Sequence, residues 1–392
     1  MAMMLFIFLT FSQVSFFVFG TSHDLSRVKR QARQNNLVPY HGKWPHGVVN
    51  YYFDNSTFVG AISDYNMEAS VIRGMELISS HTCIQFSRQP SKYMMKIGTV
   101  EGQCRAAIGR IYQPHQEFTF SSSCYTAGSA AHELIHALGF YHAHQRLDRD
   151  LYLKFNLQEW RMENSFQKQQ YKKYGDQLLL VPYDYGSVMQ YHDTDEEYLP
   201  RDPKYFRTMG SEIVSFYDYY MININYECSC DDDDWLECEN LGYRNPASCD
   251  ECVCPYGFGG KDCSQRAEPG ETLEALDAWR NTTVTLDAGY TKLLDGRKYR
   301  QNDYSYHYLW ITAPTNKTIE VEIHNFNGVN CEHGCKSGGV EVKTHEDPRM
   351  TSPRACCMNE TEIYRSRNNP TIVMFFNLEG LDEYNLSYRF TD

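Results

Sequence analysis

The chain has 392 residues, 37 Lys and Arg against 50 Asp and Glu, and a net charge of −13. Its 42% hydrophobic and 14% aromatic content supports packed cores and argues against global disorder; at about 150 residues per domain the length points to two or three domains. The acidic balance counts against a nucleic-acid partner, because tracking phosphates needs clustered Lys and Arg. Fourteen cysteines, an even number, point to disulfides or metal ligands.

Residues 3–19 are mostly Met, Leu, Ile, Phe and Val, and the small residues Gly20, Thr21 and Ser22 follow. The stretch is short for a membrane span and reads as a secretory signal peptide over residues 1–20, with a signal anchor as the alternative. No other apolar run approaches 18 residues, so no transmembrane helix is expected. Arg27-Val28-Lys29-Arg30, with Arg33 behind it, reads as a processing site that ends a short propeptide, residues 21–33. N-x-S/T sequons occur at Asn55, Asn281, Asn316, Asn359 and Asn385, in accord with a secreted glycoprotein.

The cysteines fall into sets of 4, 6 and 4: Cys83, Cys104, Cys124 and Cys228; then Cys230, Cys238, Cys249, Cys252, Cys254 and Cys263; then Cys331, Cys335, Cys356 and Cys357. The middle set lies in a segment with too little apolar content for a core of its own, so covalent staples are expected there rather than a zinc site. Residues 229–263 carry nine acidic and two basic side chains, −7, which is over half of the net charge. Gln265–Thr272 is polar, contains Pro-Gly and reads as a linker. Short β-type runs separated by turn residues then predict an antiparallel β-sandwich of about 120 residues. The adjacent Cys356 and Cys357 would strain if joined to each other, so each pairs with one of Cys331 and Cys335, in an order left open.

The chemistry concentrates at His132-Glu133-Leu134-Ile135-His136-Ala137-Leu138-Gly139-Phe140-Tyr141-His142. Residues i and i+4 share a helix face, so His132 and His136 can grip one ion. Neutral imidazoles suit zinc, and three protein ligands leave a position for water. Glu133 can face that position without coordinating, as a general base does. Gly139 stands where the helix must stop if His142 is to return to the same metal. Tyr185-Gly186-Ser187-Val188-Met189-Gln190-Tyr191 lies downstream, where metzincin proteases carry a methionine turn. Met189 is then an apolar floor under the metal. His144 is expected beside the ligands or at the surface rather than as a fourth ligand.

The run HELIHALGFYHAHQRLDRD with YDYGSVMQY resembles the astacin family of secreted zinc endopeptidases, over roughly residues 34–228. The resemblance implies a multidomain fold that begins with an α+β metzincin-type zinc protease domain, residues 34–228. One Zn2+ is implied on His132, His136 and His142, with Glu133 as catalytic base. Tyr191 matches a tyrosine that can leave the zinc to stabilise the transition-state oxyanion. It also implies disulfides Cys83–Cys228 and Cys104–Cys124. Residues 229–263 resemble an EGF-like module, implying pairs Cys230–Cys249, Cys238–Cys252 and Cys254–Cys263. Residues 269–391 resemble an all-β CUB sandwich.

Four positions depart from the family pattern. Ala143 replaces the Glu that commonly follows the third zinc histidine and contacts the mature N-terminus. Gln190 replaces the His before the switching tyrosine. The propeptide lacks its usual F-x-G-D motif and has only Asp24 as an acidic residue. The CUB-like segment lacks its first cysteine and has Tyr308 near the place of the second.

The expected function is hydrolysis of peptide bonds in extracellular proteins, with an extended substrate adding a strand near Ala106–Arg110. Arg201, Lys204 and Arg207 are candidates for a basic side chain facing an acidic residue after the cut. Matrix partners are expected through the CUB-like domain. The rival is a catalytically idle extracellular binding protein, which loss of His132, Glu133, His136 or His142 would favour; all four are present. A closed structural zinc site would need a fourth ligand, commonly Cys, and none lies near in sequence.

Overall fold

A computed structural model describes residues 42–59, 61–62, 65–156, 181–192, 198–230, 236–292, 298–300, 302–358 and 362–392. The expected signal peptide, the propeptide with Asp24, the sequon Asn359 and the acidic run 231–234 lie outside the described residues.

The N-terminal half is built on a five-stranded sheet. Its strands are β1 (Val48–Phe53), β2 (Gln85–Ser87), β3 (Met94–Gly98), β4 (Arg105–Ala106) and β5 (His115–Thr119). The order is β2-β1-β3-β5-β4, parallel throughout except for β4, which runs antiparallel at the edge. Between β1 and β2 the chain crosses over through helix α1 (Met67–Ser79), whose N-terminus is capped by Asn66 accepting the Ala69 N–H at 3.0 Å. Met67, Val71, Met75 and Ile78 recur at helical spacing and form its buried face. Helix α2 (Ala127–Ala137) packs on α1 with nearly every residue buried. Small residues on its early turns allow this approach, while His132, Glu133 and His136 are the polar residues it buries.

A second helix end is fixed by charge. Helix α3 (Phe216–Tyr226) starts with a capping box in which Ser215 and Asp218 satisfy each other's backbone N–H groups. Two short strands, β6 (Leu153–Phe155) and β7 (Tyr198–Pro200), pair antiparallel, and the Tyr198 ring lies 5.7 Å from that of His144.

All fourteen cysteines are paired in seven disulfides. The first five bonds are Cys83–Cys228, Cys104–Cys124, Cys230–Cys249, Cys238–Cys252 and Cys254–Cys263. The order left open at the C-terminal set is Cys331–Cys357 and Cys335–Cys356. The disulfide-rich middle segment holds two small hairpins and lends Val253 to a cluster with Phe216, Tyr217 and Ile224 of α3.

The C-terminal part is two sheets face to face. One has the order β8 (Gly270–Glu274), β10 (Ser305–Thr312), β15 (Thr371–Asn377), β12 (Gly338–Val342) and β13 (Arg354–Ala355). The other has the order β9 (Arg280–Asp287), β16 (Leu381–Thr391), β11 (Thr318–Asn327) and β14 (Ile363–Ser366). Leu309, Ile311, Val373 and Phe375 meet Val284, Ile319, Val321 and Leu386 in the core between them. Tyr308, near the place of the missing cysteine, is buried on the opposite side of β10 with Met374 and Phe376.

Two sequence expectations need correction. Gln265–Thr272 is not a free linker: Gln265–Arg266 closes a hairpin and β8 begins at Gly270. Its polar residues face out while the backbone pairs with β10 through Tyr308 N–H to Pro269 C=O, 3.0 Å, and the ladder beyond. That ladder is parallel, so the sandwich is not wholly antiparallel.

The C-terminal sandwich is also tied to the first half. Asn302 C=O accepts the Ala127 N–H at 2.6 Å, satisfying one orphan donor at the start of α2. Arg73 pairs with Asp303 at 2.7 Å, and Tyr125 donates to Glu379 at 2.5 Å. Among the described residues no helix is long and apolar enough to cross a membrane.

Candidate active site

Helix α2 brings His132 and His136 to one face, and the chain turns at Gly139 with φ +109, a conformation that glycine adopts cheaply. His142 then returns to the same point. Its Nε2 lies 3.2 Å from Nε2 of His132 and 2.9 Å from Nε2 of His136. Among the described residues this is the cluster of His, Cys, Asp and Glu able to hold an ion, with ligand atoms within 4.8 Å of one another.

The donor set fits zinc. His132 Nδ1 donates to the Val188 carbonyl at 2.7 Å, and His136 Nδ1 to the Phe140 carbonyl at 2.7 Å. With Nδ1 carrying the proton, Nε2 keeps a lone pair aimed at the common point. Burial pushes His132 down to about 4 and His136 down to about 3, and it lowers His142 further, so the imidazoles are neutral. Three neutral nitrogens with a remaining open direction form a catalytic rather than a closed structural zinc set.

Glu133 is buried beside His132. Burial raises its carboxyl to about 7, against the opposing effect of a hydrogen bond from the Ala106 N–H at the edge strand β4. Its Oε2 has no hydrogen-bond partner among the described residues. Tyr191 lies on the other side, 44% exposed, with its ring 4.0 Å from that of His142 and stacked on His132 at 5.3 Å. Its carbonyl accepts from Tyr198 Oη at 2.6 Å and from Gln190 Nε2 at 2.7 Å.

The turn beneath is buried and hydrogen-bonded. Met189 is 1% exposed, belongs to the main core, and its carbonyl accepts the Ala143 N–H at 2.9 Å. Gln190 is also buried and accepts the Tyr183 hydroxyl at 2.5 Å, which gives the amide a partner where the family pattern has His. His144 is buried, its ring 5.1 Å from His142 and 5.7 Å from Tyr191, and does not join the ligand-atom cluster. Arg201 donates to the Asp150 carbonyl. Lys204 and Arg207 line a cavity of about 500 Å³ between the two halves, where Lys204 pairs with Glu362 at 3.1 Å.

Sequence reasoning missed the groups that aim the histidines. The Val188 and Phe140 carbonyls carry no side-chain signature. Nor did sequence reasoning single out Asp218, which anchors the methionine turn from α3.

Residues 37–227 match the peptidase family described as Astacin. Over 373 residues the chain is 52% identical to the "Zinc metalloproteinase-like protein nas-21" of Caenorhabditis elegans, covering 95% of this chain and 92% of that protein. The chain belongs to the astacin family. It is also 52% identical over 322 residues to "Zinc metalloproteinase nas-22" of the same organism, covering 80% of this chain and 85% of that one. A solved structure, the hatching-enzyme zinc-protease high choriolytic enzyme 1 of Oryzias latipes, is 27% identical with a TM-score of 0.40, covering 48% of this chain and 95% of that chain. This astacin is a zinc metalloendopeptidase, and its cofactor is Zn2+, for which His132, His136 and His142 form the fitting site.

Proposed function

We propose that this astacin works outside the cell on protein substrates, with Glu133 as the general base and Tyr191 as the oxyanion donor. The observation that carries the reading is the Glu133 carboxyl. It is buried beside the three imidazoles, held at one side by the Ala106 N–H, and keeps Oε2 without a protein partner among the described residues. A base needs such an acceptor aimed at the attacking water.

Zn2+, when bound, supplies Lewis acidity toward a water molecule and the scissile carbonyl. Glu133 takes the proton from the attacking water and passes it to the leaving amine. Tyr191, whose hydroxyl is protonated at neutral pH and pushed up to about 12 by partial desolvation, donates a hydrogen bond to the developing oxyanion. An extended substrate would pair as an added strand along the edge strand β4. Lys204 and Arg207 remain candidates for facing acidic side chains of that substrate.

The same reading assigns residues 1–20 to a signal peptide and 21–33 to a propeptide. It assigns 34–228 to the protease domain, 229–263 to an EGF-like module and 269–391 to a CUB-like sandwich that engages matrix partners. Seven disulfides and five sequons support the extracellular assignment, since the cytosol keeps thiols reduced. Purified mature protein is expected to cleave denatured casein, and a chelator to abolish the cleavage. Full activity in Glu133→Gln would sink the assignment of the base.

A further inference from the structure

The residue after Tyr191 reaches the C-terminal sandwich. Tyr191 turns its ring to the histidine cluster, and His192 turns the other way. The His192 ring stacks on the ring of His333 at 5.3 Å with planes 10° apart. The His192 side chain also lies against Gly210, where any side chain would collide: an added Cβ would stand 2.4 Å from His192 Nδ1. His192 is therefore packed against both a bare glycine and a ring contributed by the C-terminal sandwich.

His333 is itself fixed. It opens a tight turn, His333–Cys335, bracketed by Cys331–Cys357 and Cys335–Cys356. Phe206 meets its ring edge-on at 4.7 Å. Gly334 N–H donates to the Arg207 carbonyl at 3.0 Å, and a Cβ at Gly334 would stand 2.2 Å from the Gly210 carbonyl oxygen. The two backbones thus approach as closely as glycine permits. The Gly210 N–H in turn donates to the Gln190 carbonyl at 3.0 Å, one residue before Tyr191. The disulfide-bracketed turn and the Tyr191 segment share Gly210 as a common abutment.

We propose that His333 is a positioning residue for Tyr191, so that the C-terminal sandwich completes one wall of the active site. The proposal rests on the reading of Tyr191 as oxyanion donor. A hydrogen bond to a developing charge is sensitive to small displacements, and a misplacement near 1 Å can cost about 100-fold in rate. Freeing His192 from its stack lets the Tyr191 backbone shift while the zinc ligands, carried by α2 and the following turn, stay in place. The signature is a loss in kcat rather than in substrate binding.

The test compares His333→Ala, His333→Phe, Tyr191→Phe and the double variant His333→Ala/Tyr191→Phe in the full mature chain. Each is read with a quenched peptide that the wild type cleaves, beside zinc content measured by atomic absorption. His333→Ala is expected to lower kcat roughly tenfold with KM and zinc content unchanged. His333→Phe, which keeps a flat ring, restores most of kcat. In the double variant the His333→Ala loss disappears, because the two residues act through one interaction. Should His333→Ala fail to fold, His192→Ala removes the same stack from the protease side and is read in the same cycle. A His333→Ala loss that adds in full to that of Tyr191→Phe overturns the positioning role alone. Undiminished kcat in Tyr191→Phe overturns the oxyanion role and this proposal with it.

Discussion

The Asp218 carboxylate accepts the Val188 N–H at 2.9 Å, and the carbonyl of that same Val188 accepts Nδ1–H of the zinc ligand His132 at 2.7 Å. Asp218 also takes the Ser187 hydroxyl at 2.5 Å and the Ser215 N–H at 2.8 Å. One buried side chain therefore caps α3, holds the methionine turn and, through Val188, aims a metal ligand. Asp218→Ala leaves these donors unsatisfied and is expected to destabilise the protein by about 2–4 kcal/mol. It should also weaken zinc binding roughly 10- to 100-fold, as loss of a group that orients a ligand does. Chemical denaturation and competitive zinc titration check the two effects separately.

The same residue carries a pH signature. Burial outweighs three hydrogen bonds and raises the Asp218 carboxyl to about 6. The folded state then binds its proton more tightly than the unfolded chain, whose Asp titrates near 3.9. Its contribution to stability is greatest below the unfolded value and declines as pH rises through about 6. The stability of wild type relative to Asp218→Asn is expected to fall by about 2–3 kcal/mol between pH 4 and pH 7. Urea unfolding at stepped pH measures it, and a difference that is flat or rises with pH contradicts the assignment.

The ligand spacing was legible because helical periodicity and a glycine stop are local rules. His132, His136 and Gly139 could be placed from sequence by counting residues per turn. What aims them was not legible. The Val188 carbonyl is a backbone group delivered across 56 residues of chain, and His333 arrives from a turn whose disulfide order the sequence left open. The polar segment Gln265–Thr272 misled for a related reason. Its pairing with β10 is made by backbone groups, which composition does not report.

Tyr191 and Glu133 should separate catalysis from stability. Tyr191 is 44% exposed, so Tyr191→Phe removes one hydroxyl with little lost packing. The expected result is a fall in kcat of about 100- to 1000-fold, as for other single oxyanion donors, with the unfolding midpoint unchanged. Glu133→Gln keeps the shape of the buried side chain but cannot accept a proton from water. Its activity should fall at least as far, while zinc content remains that of wild type.

Removing the metal should act on both properties at once. The Nε2 atom of His142 lies 3.2 Å from that of His132 and 2.9 Å from that of His136, a crowding of lone pairs that a shared ion relieves. Anything that binds only the folded state stabilises it by RT ln(1 + [L]/Kd), about 4 kcal/mol at a thousandfold excess over Kd. Dialysis against a chelator is expected to abolish proteolysis and to lower the thermal midpoint by several degrees. Added zinc should restore both. A chelated protein that kept its midpoint while losing activity would show that the fold holds the cluster closed without the ion.

Glu341 gives the opposite pH dependence from Asp218. It is 1% exposed and lies between Lys343 Nζ at 2.7 Å and Arg354 Nε at 3.0 Å, with the Ser352 N–H at 2.9 Å. Burial alone would raise its carboxyl, but the two cations overcome that and leave it lowered. Its stabilising contribution is therefore present above the ordinary carboxylate value and is lost as pH falls through the folded one. Arg354 also reaches across to the protease half, donating to the Ser211 hydroxyl from its side chain and to Thr208 Oγ1 from its backbone. Glu341→Gln strands two buried cations and is expected to cost about 3–5 kcal/mol at neutral pH. The deficit should shrink on acidification, as wild-type Glu341 itself becomes protonated. Because Arg354 loses its anchor, the segment around Thr208–Ser211 should become more open to hydrogen exchange in Glu341→Gln, next to the Gly210 abutment of His192. Exchange measured by mass spectrometry at neutral pH checks this, and unchanged protection there would confine the ion cluster's role to the sandwich.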